Sequence, residues 1–316
     1  IRIELTAHLA IRSFDQKRFE SNKGGQMNNL IDIFCDVDDF CHQFLPVWES
    51  DLIASGAKKR RRQSKMTLSE CMTIVIAFHQ SNHRDFKNFY IGLVQKYWRP
   101  DFPTLLSYTR FLHKMSSLIV PMCAYFQTIK GKPTGIAFVD STSLKVCHNI
   151  RIPRNKVFDG VAKRGKGTMG WFYGFKLHLL INHIGEIISL KITPGNTNDR
   201  TPIPELCKNL YGKLYADKGY IGKKLNEKLA AHDVDLVTTV RKNMKAKAMS
   251  VFDRAMLSKR YIIETINDQL KNISQVEHSR HRSEAGFMLN VISGIVAYCL
   301  KKQKPRIKLS TSELGL

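Results

Sequence analysis

The chain has 316 residues and a hydrophobic fraction of 43%, which is enough to bury a core in one large domain or two ordinary ones. Its 50 Lys and Arg residues outnumber 27 Asp and Glu residues, and the resulting net charge of +23 is spread along the chain. Such a charge favours nucleic acid as the partner, with ribosomal-type structural binding or attachment to an acidic membrane as the alternatives. No apolar run approaches the roughly 20 residues that a membrane-spanning helix needs.

The cysteine pattern argues against a disulfide framework and against a structural zinc site, because the number of cysteines is odd and none form a Cys-x-x-Cys pair. The seven are Cys35, Cys41, Cys71, Cys123, Cys147, Cys207 and Cys299. We therefore expect a reducing compartment and a cytoplasmic protein.

Residues 1–26 precede Met27 and end in a polar, glycine-containing stretch. Their apolar part is short and is interrupted by Glu4 and Arg12, which is not the pattern of a signal peptide. We expect residues 1–26 to be an upstream or disordered leader, with the natural start at Met27.

Residues 27–130 carry apolar side chains at three- and four-residue spacing, which predicts an all-helical domain. Thr67 and Glu70 have the spacing of a capping box at a helix start. Short basic helices with tight turns are typical of a helix-turn-helix DNA-binding region, with a plain helical bundle as the alternative. The basic run 58–62 predicts a phosphate-contacting arm containing Arg60 and Arg61, or a solvated loop.

The pattern changes near residue 134 to alternating strands separated by helices. We predict strands over 135–146, 173–182, 186–193, 214–217 and 234–240, and helices over 204–210, 223–232, 251–273 and 284–301. Three consecutive strands form a meander, and the later ones return through helices to give parallel pairs. This order predicts an α/β, ribonuclease-H-like domain over residues 131–302, with a mixed five-stranded sheet flanked by helices. A basic flexible tail is expected over 303–316.

Three acidic residues follow or interrupt apolar sequence, where a carboxylate is unusual. Asp140 lies in an otherwise apolar strand, Asp217 ends another, and Glu264 follows two isoleucines in a helix. An ionised group in apolar surroundings is costly unless it is paired or binds a metal. The strand order places Asp140 beside Asp217, and the helix with Glu264 can pack across the sheet. Taken singly, each of these acids could instead be a helix N-cap, a turn residue or an ordinary surface acid.

Three clustered carboxylates predict a divalent-metal site. Hard oxygen ligands suit Mg²⁺, with Mn²⁺ as an alternative. Two such ions can activate an attacking oxygen and stabilise a leaving oxygen in a phosphodiester reaction. We therefore assign Asp140, Asp217 and Glu264 as catalytic residues and ligands of two ions. Glu277 is a rival for the third acid.

Four sequence blocks resemble those of bacterial insertion-sequence DDE transposases, and are most similar to insertion-sequence family 982. The blocks are Phe138–Thr142, Gly174–His178, Pro194–Arg200 and Tyr215–Tyr220, and the resemblance extends from Met27 to about Lys302. It implies a transposase that binds terminal inverted repeats, cleaves and joins DNA strands, and acts as a homodimer on DNA in a bacterial, nucleoid-associated setting.

Related transposases carry a tyrosine, arginine, glutamate and lysine signature on the helix of the third acid. Arg260, Glu264 and Lys271 occupy the last three positions, whereas Leu257 stands at the tyrosine position. The resemblance implies that Arg260 and Lys271 hold DNA phosphates beside the cut. An ordinary ion pair between residues four apart on a helix is the alternative.

Further residues are predicted from charge and position. The long basic segment 151–171 predicts a loop that contacts transposon-end DNA through Lys163, Arg164, Lys166 and Trp171. Arg280 and Arg282 predict a second phosphate-binding cluster, with solvated charge as the alternative. His178 and Asp199 are predicted to support the metal site, although a histidine in an alternating strand is more often structural and Asp199 could instead cap the following turn.

Three alternatives remain open on the sequence. A nuclease of the same fold would cut DNA without joining it, and a DNA-binding protein would need no convergence of the acids. A decayed transposase copy is the third, although the acids and blocks are intact.

Overall fold

The computed structural model describes residues 30–57, 64–81, 83–167, 170–240, 248–277 and 281–308. The leader and the arm with Arg60 and Arg61 lie outside these residues, as does Arg280. Within the described ranges no helix is long and apolar enough to cross a membrane.

The helices and strands follow the expected change from helical to mixed structure. The helices are α1 (Leu30–Ala54), α2 (Leu68–Gln80), α3 (Phe86–Phe89), α4 (Gln95–Tyr97), α5 (Tyr108–Met115), α6 (Ile119–Ile129), α7 (Ile203–Leu206), α8 (Lys223–Ala230), α9 (Val251–Ser258), α10 (Tyr261–Asp268) and α11 (Glu284–Cys299). The strands are β1 (Ile136–Cys147), β2 (Lys163–Gly167), β3 (Gly170–Asn182), β4 (Ile187–Pro194), β5 (Gly212–Ala216) and β6 (Val234–Thr238). A π-helical turn over Tyr90–Val94 joins α3 to α4.

The chain divides into two compact units. One contains the described residues up to Ile129 and from Leu270 to Lys302, and the other contains the described residues from Lys130 to Gln269 and from Gln303 to Lys308. The sequence analysis placed all of 131–302 in the α/β domain, but α11 lies with the helices instead. It is apolar on nearly every face and packs against α2 and α6, which bury it from Phe287 to Tyr298.

The helical unit is held by an apolar core and by precise helix ends. Thr67 and Glu70 form the expected capping box, since each side chain accepts a hydrogen bond from the other residue's backbone N–H. His79 is 1% exposed at the end of α2. Its Nδ1 donates to the Ser274 carbonyl at 2.6 Å, which links α2 to the segment before α11.

The α/β unit is built on one mixed sheet with strand order β2-β3-β1-β5-β6. β1 is antiparallel to β3 and parallel to β5. β4 also pairs with β3, and Gly174 of β3 pairs with both β1 and β2. β1 therefore pairs with one edge of β3, and β2 and β4 pair with successive parts of its other edge.

The five expected strands form, but the expected loop over 151–171 contains the sixth strand, β2. Its residues, Lys-Arg-Gly-Lys-Gly, show no apolar alternation, so pattern alone predicts a loop. Tertiary packing makes the strand possible. A Cβ on Gly165 would lie 2.1 Å from the Gly195 carbonyl oxygen, so only glycine allows this close backbone approach.

The expected single helix over 251–273 is instead α9, α10 and a π-helical turn at Gln269–Ile273. Each half has its own anchor on the sheet. Asp253 of α9 accepts hydrogen bonds from Lys213 and Tyr215 of β5, both at 2.7 Å, whereas α10 packs on β1. The break at Lys259 lets both contacts form.

The first part of the expected flexible tail is also ordered. The Ile307 N–H donates to the His183 carbonyl at 3.0 Å, and a Cβ on Gly185 would lie 1.9 Å from the Pro305 carbonyl oxygen. Residues 303–308 therefore pack against the turn between β3 and β4.

Buried His79 predicts how stability depends on pH. Burial lowers its pKa from 6.5 to about 4, with the Ser274 carbonyl opposing this shift and the charge of His281 adding to it. Because the folded pKa lies below the unfolded one, its contribution is complete above pH 6.5 and is lost as pH falls towards 4. The shift corresponds to about 3 kcal/mol.

We expect chemical denaturation of the full chain to show a smaller loss of unfolding free energy between pH 7 and pH 4.5 for His79→Gln than for the wild type. His232→Gln, which changes an exposed histidine, is the control and should retain the wild-type dependence. Equal pH dependence of the wild type and His79→Gln would contradict the assignment.

Candidate active site

Asp140 occupies the middle of β1, the central strand of the site. Its neighbours Val139 and Ala137 join the apolar cluster beneath α7 and α8, so strand alternation directs Asp140 to the opposite face with Phe138. Burial raises the pKa of Asp140 to about 6, while the Ser141 backbone N–H and the charge of Arg260 oppose that shift. A carboxylate here is costly to ionise without a cation.

α10 presents one face to Asp140. Arg260, Glu264 and Asn267 recur at four- and three-residue spacing on that face. The Asn267 Nδ2 donates to the Asp140 Oδ2 at 3.2 Å. The Arg260 Nη2 lies 3.0 Å from the Glu264 Oε1, so the ion pair between these two residues forms. Glu264 raises the pKa of Asp140 and Arg260 lowers it, although both effects are smaller than burial.

Asp217 follows the last residue of β5 and is exposed. The parallel register aligns Phe138 with Tyr215, and two further residues along each strand give Asp140 and Asp217. Asp217 then starts a 3₁₀ turn over Lys218–Tyr220. Among the described residues, no three His, Cys, Asp or Glu side chains lie close enough to hold one metal ion. The Glu264 carboxylate pairs with Arg260, and the predicted triad is not assembled around one ion in this structure.

The loop Pro194–Arg200 makes hydrogen bonds to the chain next to both Asp140 and Asp217. The Asp199 Oδ1 accepts hydrogen bonds from Ser141 at 2.8 Å and from Lys176 at 2.9 Å. The Arg200 Nε donates to the Gly219 carbonyl at 2.8 Å, within the turn after Asp217. Asp199 and Arg200 thus connect the residue after Asp140 to the turn after Asp217.

A cavity of about 470 Å³ opens between this loop and the hairpin of β2 and β3. Its lining includes Arg164, Lys166, Trp171, Lys176 and Arg200, with Asp199 also in its wall. Trp171 is 59% exposed, and the Lys166 ammonium lies 5.9 Å from the centre of its ring. Three of the four predicted DNA-contacting residues of this segment line the cavity, whereas Lys163 does not.

His178 is fully buried in β3, and its Nε2 lies 2.8 Å from the Thr193 Oγ1 of β4. Burial lowers its pKa to about 4, against the opposing charge of Asp199. The Nε2 contact joins β3 to β4, as the structural interpretation expects, whereas the buried Nδ1 has no hydrogen-bond partner among the described residues.

The other predicted residues lie in the helical unit. The Lys271 Nζ lies 3.2 Å from the Glu277 Oε2, so the rival third acid is paired with a lysine. Lys271 falls in the π-helical turn beyond α10 and does not share one regular helix face with Arg260 and Glu264. Arg282 is exposed just before α11.

Sequence reasoning assigned no role to Asn267, Ser141 or Lys176, which contact Asp140 or Asp199. Asn267 could have been found because it lies three residues after Glu264 and shares its helix face. Lys176 and Ser141 lie in strands of the site but carry no distinctive spacing, so only the three-dimensional contacts reveal them.

The close packing of the loop gives a paired prediction. A Cβ on Gly195 would lie 2.6 Å from the Lys163 carbonyl oxygen, whereas one on Gly219 would meet nothing within 4 Å. We expect Gly195→Ala to lower the free energy of unfolding by about 2 kcal/mol or more, because overpacking forces backbone shifts. Gly219→Ala should change it by less than about 0.5 kcal/mol. Urea denaturation tests this, and equal stability of both variants would contradict the packing.

Residues 130–284 match the family model described as "Transposase DDE domain". No curated protein matches the chain. A solved structure titled "Cryo-EM structure of piggyBac transposase synaptic complex with hairpin DNA (SNHP)" aligns at 12% sequence identity and a TM-score of 0.38, covering 76% of this chain and 66% of that chain.

The matched family implies the use of a divalent metal ion. Asp140, Asp217 and Glu264 all offer the hard oxygen atoms that Mg²⁺ and Mn²⁺ prefer, so their chemistry suits such an ion, but the described residues do not place three such side chains around one point. The raised pKa of Asp140 also shows a desolvated carboxylate that a cation would stabilise. The segment from Lys130 to Glu284 is similar in sequence to transposase DDE domains.

Proposed function

We propose that this protein is a DNA transposase that binds the terminal inverted repeats of an insertion sequence, cleaves there and joins the freed end to target DNA. The observation that carries the proposal is the convergence of α10 on Asp140, within the segment that matches the DDE domain. We also propose membership of insertion-sequence family 982 and a ribonuclease-H-like fold, on the order of the strands and the four sequence blocks.

Asp140, Asp217 and Glu264 are proposed to hold two Mg²⁺ ions, or Mn²⁺ in their place. Bound there, the ions would supply positive charge to the reacting phosphate and lower the pKa of a coordinated water. Asp140 is fixed by β1, so it defines the centre. Glu264 reaches it once its carboxylate leaves Arg260, which frees the guanidinium for a DNA phosphate.

The proposed reaction has two balanced steps. In the first, a water oxygen bonds to phosphorus as the P–O3′ bond breaks, leaving a 3′-OH and a 5′-phosphate. In the second, that 3′-OH attacks a target phosphodiester, forms a new P–O3′ bond and releases the target's own 3′-OH. Catalysis in both steps depends on positioning and charge, so no covalent bond to the protein is needed.

DNA binding is proposed to use the hairpin of β2 and β3, which presents Lys163, Arg164 and Lys166 beside exposed Trp171. Arg164, Lys166, Lys176 and Arg200 line the cavity, whose wall also includes Asp199, which hydrogen-bonds the residue after Asp140. Phosphate contacts by Lys271, Arg282, Arg280 and the 58–62 arm are further parts of the proposal. A homodimer on DNA is proposed because joining requires two ends to be held together.

The catalytic assignment predicts loss of cleavage with retained DNA binding. The substrate is a plasmid that carries this gene with its native flanking DNA, incubated with Mg²⁺. We expect Asp140→Asn, Asp217→Asn and Glu264→Gln each to lower the nicking rate at the element's ends by at least about a hundredfold, because charge stabilisation at the phosphate is lost. Gel-shift affinity for the same DNA should stay within about threefold of the wild type.

Asp235→Asn removes an exposed acid of β6 and serves as the control, and Glu277→Gln tests the rival third acid. Both should cleave at the wild-type rate. Full cleavage by Glu264→Gln together with loss in Glu277→Gln would transfer the third position to Glu277. Nicking without joined products from the wild type would favour a nuclease, and binding without nicking would favour a non-catalytic DNA-binding protein or a decayed copy.

The hairpin assignment predicts a change in the salt dependence of binding. We expect the double variant Arg164→Gln with Lys166→Gln to reduce the slope of log affinity against log salt concentration by about 1 to 2, since each phosphate contact contributes about 0.9. Lys208→Gln with Lys228→Gln removes the same charge from exposed sites that do not line this cavity. Equal slopes for the two double variants, measured by fluorescence anisotropy, would contradict a specific role for the hairpin.

A further inference from the structure

We infer that Asn267 is a fourth member of the catalytic centre, which positions the Asp140 carboxylate and offers its own side-chain oxygen to the bound metal ion or its water shell. This inference rests on the proposed function, because it assigns a role at the same site. It concerns a residue outside the Asp, Asp and Glu triad.

Asn267 makes a direct hydrogen bond to Asp140. The Asn267 Nδ2 donates to the Asp140 Oδ2 at 3.2 Å, across 127 residues of sequence. This hydrogen bond constrains the carboxylate plane and occupies one of its two oxygens from the side of α10. The carboxylate also accepts a hydrogen bond from the Ser141 backbone N–H.

The side-chain amide of Asn267 has a hydrogen-bond partner at its nitrogen but, within the described part of the chain, none at its oxygen. Asn267 is 6% exposed, yet its Oδ1 has no hydrogen-bond partner among the described residues. Burying an unpaired amide oxygen destabilises a fold, so such atoms are rare and call for a partner in another state. An amide oxygen is a hard ligand and an acceptor for metal-bound water, which makes a divalent cation a chemically suitable partner.

Asn267 shares one face of α10 with Arg260 and Glu264. Asn267 lies three residues after Glu264 and seven after Arg260, so α10 directs all three side chains to the same side. The neighbouring Ile263 and Ile266 are fully buried and fix the rotation of the helix. Asn267 is therefore placed by the same packing that holds the proposed third acid.

A comparison with other buried asparagines separates this role from ordinary packing. Asn182, fully buried in β3 of the same unit, donates through Nδ2 to the Lys132 carbonyl and to Glu186, and accepts from the Glu186 N–H through Oδ1. Both ends of its amide have protein partners. Asn267 has a partner at one end only, and that partner is Asp140.

The test is Mn²⁺ binding to the full chain, in which electron paramagnetic resonance measures the concentration of free Mn²⁺. We expect Asn267→Leu to raise the Kd for Mn²⁺ about tenfold, as is typical for loss of a group that supports a ligand. Its melting temperature in EDTA should stay close to that of the wild type, because leucine has a similar volume and removes the unpaired oxygen. Asn182→Leu is the matched control, with a lower melting temperature in EDTA and an unchanged Kd.

Asn267→Asp keeps the size and the oxygen but removes the donor to Asp140. We expect it to retain Mn²⁺ binding and to cleave the plasmid at least about tenfold more slowly; this variant decides the matter if Asn267→Leu does not fold. Wild-type Kd in Asn267→Leu, or wild-type cleavage by Asn267→Asp, would overturn the role of Asn267 alone. A wild-type chain that binds no Mn²⁺ would overturn this inference together with the proposed metal site.

Discussion

The pairing of β1 on both of its edges determines how the site is built. Ten residues of β1 are aligned with β3, and its first residues are aligned with β5, so the strand cannot shift to expose Asp140 without breaking two ladders. A one-residue slip would turn Asp140 into the apolar cluster below and Val139 towards α10. The desolvated carboxylate is thus held in place by the register of the whole sheet.

Two segments converge on that carboxylate and give the site its chemistry. From one side, the loop Pro194–Arg200 holds Ser141 through Asp199 and the turn after Asp217 through Arg200. From the other, α10 delivers Asn267 and the pair of Arg260 and Glu264. The pair keeps the glutamate charge balanced when no cation is bound. We propose that a divalent ion and a DNA phosphate together replace the two halves of this ion pair, which would couple metal binding to substrate binding.

Much of this arrangement could be predicted from the sequence because the signals were local. An aspartate within an apolar strand, a helix after each later strand and alternating apolar residues indicated the sheet and the position of Asp140. β2 could not be predicted, because it depends on Gly165 packing against Gly195, thirty residues away. The break between α9 and α10 depends on separate anchors on β5 and β1, and the place of α11 depends on α2 and α6. The contact of Asn267 with Asp140 is likewise a long-range property that spacing alone does not reveal.

The central claim is that Asp140, Asp217 and Glu264 together hold the metal ions. The most direct measurement is an anomalous difference map from crystals of the full chain grown with Mn²⁺ and a DNA duplex from the end of the element. The account predicts Mn²⁺ peaks within about 2.5 Å of the carboxylate oxygens of Asp140 and of both other acids, with Glu264 released from Arg260. Well-ordered Mn²⁺ on Asp140 without Asp217 or Glu264, or on Glu277 in place of Glu264, would contradict it.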